Sequence, residues 1–89
     1  GVALLNTLTN PYDANAVLSD LFEIFLSIDV SQSDRVMLLD ILTDGLPIFE
    51  WTVLYNDYLL DPVTHGGDIN NQITNTIAAI FKLYIFQTL

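Results

Sequence analysis

The run DPVTHGGDINNQ, residues 61–72, carries the only histidine of the chain, set between Asp61 and Asp68 and beside Gly66-Gly67. The spacing D-x3-H-x2-D offers one imidazole nitrogen and two carboxylates, a mixture that zinc and non-heme iron accept as ligands. Those metals usually draw histidines in pairs from rigid elements, and the chain has neither a second histidine nor a cysteine. Asp61, His65 and Asp68 are therefore the only metal-ligand candidates, and no metal or cofactor is expected. Simpler local roles account for the whole run. Asp61-Pro62 would stop one helix, Gly66-Gly67 would make the turn and Asp68 would cap the next helix. On this reading residues 61–72 are a surface connector.

Other chemistries find less to work with. DVSQSD, residues 29–34, has acids at its first and sixth positions but lacks the alternating ligands, central glycine and distal glutamate of a calcium loop. No G-x-S-x-G elbow presents a nucleophile, and Ser19, Ser27, Ser31 and Ser33 fall in helical or capping contexts. Asp57 and Asp61 share a helix face at i,i+4 spacing, an arrangement that usually serves only solvation. An acidic helical chain of this size invites comparison with acyl carrier proteins, whose attachment Asp-Ser-Leu is absent. No glycine-rich phosphate loop occurs either. The expected set of catalytic residues is empty.

Aromatic side chains give a different signal. Trp51, Tyr55 and Tyr58 lie at i, i+4 and i+7, with Phe49 just before them. Aromatics at helical spacing belong to a core or an interface, with the Tyr and Trp polar tips at its rim.

Composition narrows the partners. Arg35 and Lys82 stand against eleven acidic residues, for a net charge of −9. Binding to nucleic acid needs clustered cations, and adsorption to anionic lipid needs them too, so neither partner is expected. No apolar run reaches the ~18 residues of a membrane-spanning helix. Apolar residues make up 52% of the chain and charged residues 15%, against about 25% in an ordinary domain. That is a thin polar coat. Part of the apolar surface should be covered by protein: the rest of a parent chain, a partner, or a second copy in a homo-oligomer.

The elements that must position these residues are helical. The predicted helices cover residues 3–9, 14–28, 32–44, 47–60 and 69–88. The first is a short apolar turn that Asn10-Pro11 ends. Asp13 caps the second, whose stripe is Val17, Leu21, Ile24, Phe25 and Ile28, widened by Leu18, Phe22 and Leu26. Ser31 with Asp34 resembles a capping box for the third, with Val36, Leu38, Leu39, Ile41 and Leu42 as its core face. Gly45 is placed to be the left-handed C′ residue, and Pro47 to open the fourth helix. The last helix buries Ile69, Ile73, Ile77, Ile80, Phe81 and Tyr84, while Leu83, Ile85 and Phe86 make its second half apolar all round. With no strict alternation and no hairpin turn between β-branched runs, strands have no support. The predicted fold is all-α: about four antiparallel helices, with a short fifth at the start, in a small bundle-like array. The chain would be one helical domain, or the C-terminal fragment of a larger helical protein.

YDANAVLSDLFEIFLSIDVSQSDRVMLLDILTDG, followed by WTVLYNDYL and INNQITNTIAAIFKLYIFQ, resembles the C-terminal end of a large bacterial family of exported proteins without an assigned activity. Genes of that family often sit beside one for a sulfatase-like exported protein. Ser31 to Leu42 matches its second helical element, and Trp51, Tyr55 and Tyr58 match its third. The family's closing tail and long N-terminal helical portion have no counterpart here. The resemblance implies an exported bacterial protein, periplasmic, surface-bound or secreted, and supplies no catalytic residues.

Taken together, these residues suggest a non-catalytic helical packing or interaction segment of a larger exported protein. The surface expected to meet the parent chain or a partner comprises Trp51, Tyr55, Tyr58, Leu83, Ile85 and Phe86. The alternative is part of a hydrolytic or metal-assisted enzyme whose site other segments complete. A further reading is an acidic adaptor that meets a basic partner through Asp20, Glu23 and Asp57.

Overall fold

The computed structural model describes residues 2–25 and 30–88. A short 3-10 helix, Val2–Thr7, precedes four α-helices: α1 (Ala14–Phe25), α2 (Gln32–Leu42), α3 (Phe49–Leu60) and α4 (Pro62–Thr88). No strand occurs among the described residues, and the array is the small all-α bundle expected. At ~1.5 Å rise per residue α4 spans about 40 Å, which matches the 42 Å long axis of the molecule. It is the spine on which α2, α3 and the N-terminal turn pack.

Local signals set most of the boundaries. The Asp13 carboxylate accepts from the Asn15 amide at 2.9 Å and so caps α1. Ser31 caps α2 by accepting from the Asp34 amide at 3.2 Å. The predicted end of the second helix, Leu26 to Ile28, lies outside the described residues. α2 closes at Leu42 rather than residue 44, in a Schellman motif. The Gly45 amide donates to the Asp40 carbonyl at 2.8 Å and the Asp44 amide to that of Ile41 at 3.2 Å. The left-handed C′ residue is therefore Asp44, at φ 57°, and Gly45 at φ 76° is the residue after it. Pro47 does not begin α3 itself. The Glu50 and Trp51 amides reach back three residues, to the Pro47 and Ile48 carbonyls, in a tight turn that runs into the helix.

The largest departure from the sequence reading is at residues 61–72, which are not a connector. Asp61 alone separates α3 from α4. It ends α3, with its amide on the Asp57 carbonyl at 2.9 Å, and it caps α4. Its carboxylate accepts from the Thr64 hydroxyl at 2.6 Å and the Thr64 amide at 3.3 Å. Pro62 follows as the first helical residue, where a missing N–H costs nothing and the fixed φ already suits the helix. Gly66, Gly67 and Asp68 are helical. Two interior glycines disfavour a helix by about 1 kcal/mol each relative to alanine. Packing of the long apolar stripe that follows outweighs them. Asp68 has no capping role, and the last helix starts at Pro62 instead of residue 69.

One core cluster joins every element. It takes Leu5 and Leu8 from the N-terminal segment, Ala14, Val17, Leu18 and Leu21 from α1, and Leu38, Leu39 and Leu42 from α2. Trp51 and Tyr55 come from α3, and Ile69, Ile73 and Ile80 from α4. On α1 the buried set recurs at i, i+3, i+4 and i+7, one clean helix face. That face excludes Ile24, which is 47% exposed, and on α2 Val36 likewise faces out. On α4 the fully buried stripe is Ile69, Ile73, Thr76 and Ile80, with Ile77 half-buried against it as expected. Phe81, one residue past Ile80, is rotated by about 100° out of it, and Tyr84 is also exposed. Thr76 is fully buried at no polar cost, because its hydroxyl donates to the Gln72 carbonyl at 2.7 Å.

Candidate functional site

Trp51 anchors the best-built constellation in the molecule. Its side chain is fully buried, and its Nε1 donates to the Pro11 carbonyl at 2.8 Å. The Thr52 hydroxyl donates to the Tyr12 carbonyl at 2.6 Å. The Tyr12 ring then meets Tyr55 edge-on, with centroids 4.8 Å apart and planes at 81°, and Tyr58 lies 6.3 Å beyond Tyr55. α3 thereby clamps the 10–13 connection onto the core. Burial pushes the Tyr55 phenol above its ordinary pKa, with the neighbouring Tyr12 and Tyr58 adding to the shift. Of the six residues expected at an interface, Trp51 and Tyr55 are thus core residues of the chain itself, and Tyr58 is half-buried against that core.

The other three lie on the far half of α4. Leu83 is half-buried, whereas Ile85 is 54% and Phe86 80% exposed. Phe81 and Tyr84 complete an apolar and aromatic surface at this end of the spine. The element that puts it there is the α4 stripe. Phe81, Ile85 and Phe86 lie about 100–140° round the helix from Ile80 and so face away from the core, whereas Tyr84, four residues past Ile80, continues the stripe beyond its last fully buried residue.

The metal-ligand candidates are distributed along the first turns of α4. Asp61 is engaged by Thr64, whose hydroxyl and amide, followed by the charge of His65, hold its carboxyl below the ordinary aspartate range. Among the described residues no three His, Cys, Asp or Glu side chains are grouped closely enough to hold a metal ion. Asp61, His65 and Asp68 do not converge. Of the acids considered for a basic partner, Asp20 accepts from the Thr9 amide and hydroxyl, both at 2.8 Å, and ties the N-terminal segment to α1.

Among the described residues, hollows mark the surface around the α2–α3 connection. One, of about 460 Å³, is lined by Val36, Met37, Leu46 and Ile48 with Asp40 beside them. A smaller one of about 170 Å³ shares Thr43 and Leu46 with it and adds Val53, Glu50 and Asp57. A polar hollow of about 360 Å³ sets Asp44 and Asp68 beside Asn71, Gln72 and Asn75. Sequence reasoning missed these because they depend on the path of residues 43–48. Val36, expected on the core face with Leu38, Leu39, Ile41 and Leu42, instead lines the hollow beside Met37.

Comparison with known proteins decides nothing further. No protein-family model, curated protein or solved structure gives a significant match to the chain. No helix among the described residues is long and apolar enough to cross a membrane.

Proposed function

We propose that this chain is a non-catalytic helical packing segment whose outer α4 surface is covered by another protein surface, in a larger exported bacterial polypeptide or a partner. The carrying observation is the exposure of Phe86 and Ile85, next to Phe81 and Tyr84, along the last turns of α4. Fully burying a large apolar side chain gains roughly 1.5–3 kcal/mol, and Phe86, 80% exposed, forgoes most of that gain. The setting in an exported bacterial protein rests on the resemblance of the helical pattern alone.

The chain has no cysteine, so Phe86→Cys creates a single thiol. Maleimide labelling of that thiol should be fast in the free 89-residue chain and strongly slowed in the polypeptide as its own cell makes it. Equal labelling rates in the two would refute the proposal.

A further inference from the structure

A second surface, away from the α4 aromatics, has its own chemistry. Val36, Met37, Leu46 and Ile48 give the 460 Å³ hollow an apolar lining beside the buried Leu39, and each of the four is more than two-fifths exposed. The adjoining hollow, which shares Leu46, adds Val53. Around both, the charged lining is acidic throughout: Asp40 on the first, Glu50 and Asp57 on the second. Neither basic residue of the chain lines them. Arg35 is turned to α1, where it donates to the Asn15 carbonyl at 3.0 Å and the Ser19 hydroxyl at 2.8 Å. Lys82 lies far along α4.

We propose that this groove receives a cationic amphipathic helix of a partner protein. Apolar side chains at i, i+3/i+4 and i+7 would pack against the apolar lining, and Lys or Arg at its flanks would meet Asp40, Glu50 and Asp57. The other modes of peptide capture lack their requirements. No strand among the described residues offers an edge for strand addition, and no aromatic side chain lines the groove for a proline-rich segment. A second copy of this chain is opposed by charge, because it would bring a further −9 against an acidic rim. The inference is separate from the α4 packing role, and neither falls with the other.

The test titrates the protein into a fluorophore-labelled 14-residue helical peptide of leucine and lysine with an amphipathic pattern. A scrambled peptide of the same composition and a leucine–glutamate version serve as probes of pattern and sign. Binding of the patterned cationic peptide should be about tenfold tighter than that of the scrambled one. Met37→Ser, which leaves the charge unchanged, and the double variant Asp40→Asn/Glu50→Gln should each weaken it about fivefold or more. Asp13→Asn, which keeps the α1 cap and lines neither hollow, should leave it unchanged, and all variants should keep their far-UV helical signal. Equal affinity for the scrambled peptide, or a Met37→Ser effect no larger than that of Asp13→Asn, would reduce the attraction to bulk charge and overturn the proposal. So would preference for the leucine–glutamate peptide, or self-association of the protein that Met37→Ser abolishes.

Discussion

The Trp51 indole Nε1 donates to the Pro11 carbonyl at 2.8 Å, across forty residues of chain, from a side chain with no exposed surface. The bond fixes the connection between the N-terminal turn and α1 against the middle of the bundle. Removing the donor would leave a part-buried carbonyl without its partner, and shrinking the ring would leave a void. Trp51→Phe is expected to destabilise the chain by about 2–3 kcal/mol. A domain of this size commands roughly 5 kcal/mol in all, so the loss is severe. Urea unfolding followed by circular dichroism measures it, and a change under about 0.5 kcal/mol would deny Trp51 its structural role.

Gly66→Ala and Gly67→Ala separate a continuous α4 from a glycine turn. A methyl at Gly66 would meet the Tyr58 ring at 3.9 Å, an ordinary contact, and one at Gly67 would meet nothing. Each substitution should therefore raise stability by about 1 kcal/mol. A glycine turn with positive φ would respond in the opposite direction, by strain.

At the end of α2 the conformational demand falls on Asp44. A residue with a Cβ is strained in the left-handed region, and a carboxylate is unfavourable near the negative end of the helix dipole. Asp44→Gly should stabilise the chain by about 1 kcal/mol, and Gly45→Ala should cost a similar amount. Thermal unfolding of the pair is the measurement, and identical midpoints would contradict the Schellman geometry.

Among the described residues, Asp61 and Tyr55 make stability depend on pH, on opposite limbs. The lowered Asp61 pKa means that the folded state holds this proton less tightly than the unfolded one. Its contribution is complete above the ordinary aspartate range of about 3.9 and is lost as the pH falls through the lower folded value. Asp61→Asn keeps a capping oxygen but removes the ionisation, so it should flatten the acid limb of a stability–pH profile. The raised Tyr55 pKa works the other way. Its contribution is complete below about pH 10 and is lost as the pH rises through the raised folded value. Phenolate absorbance should show a late-ionising tyrosine that Tyr55→Phe removes.

Much of the fold was legible because its signals are local. Asp13 and Ser31 cap where their spacing says they should, and Ile69, Ile73 and Ile80 recur on one buried stripe of α4. Residues 61–72 were misread because Asp-Pro followed by Gly-Gly admits two solutions. The same Asp61-Pro62 that stops α3 is also a good N-cap and first turn for α4. Only the packing of the helix beyond, which no local rule weighs, selects the second. The aromatic run was placed on the correct face of α3, yet whether Trp51 meets its own chain or another depends on Pro11, forty residues away. The acid-rimmed groove depends on the course of residues 43–48 and left almost no sequence trace.

The claim that the outer α4 surface is meant for protein contact is tested most directly by the binding of a hydrophobic fluorescent dye. The free chain is compared with its Ile85→Ser/Phe86→Ser variant. The expected result is clear dye fluorescence from the free chain, reduced in the variant to what the separate groove beside Val36, Met37, Leu46 and Ile48 still binds, with helical signal and unfolding midpoint unchanged. No dye binding by the parent chain, or a variant that unfolds instead of losing the dye, would contradict the account.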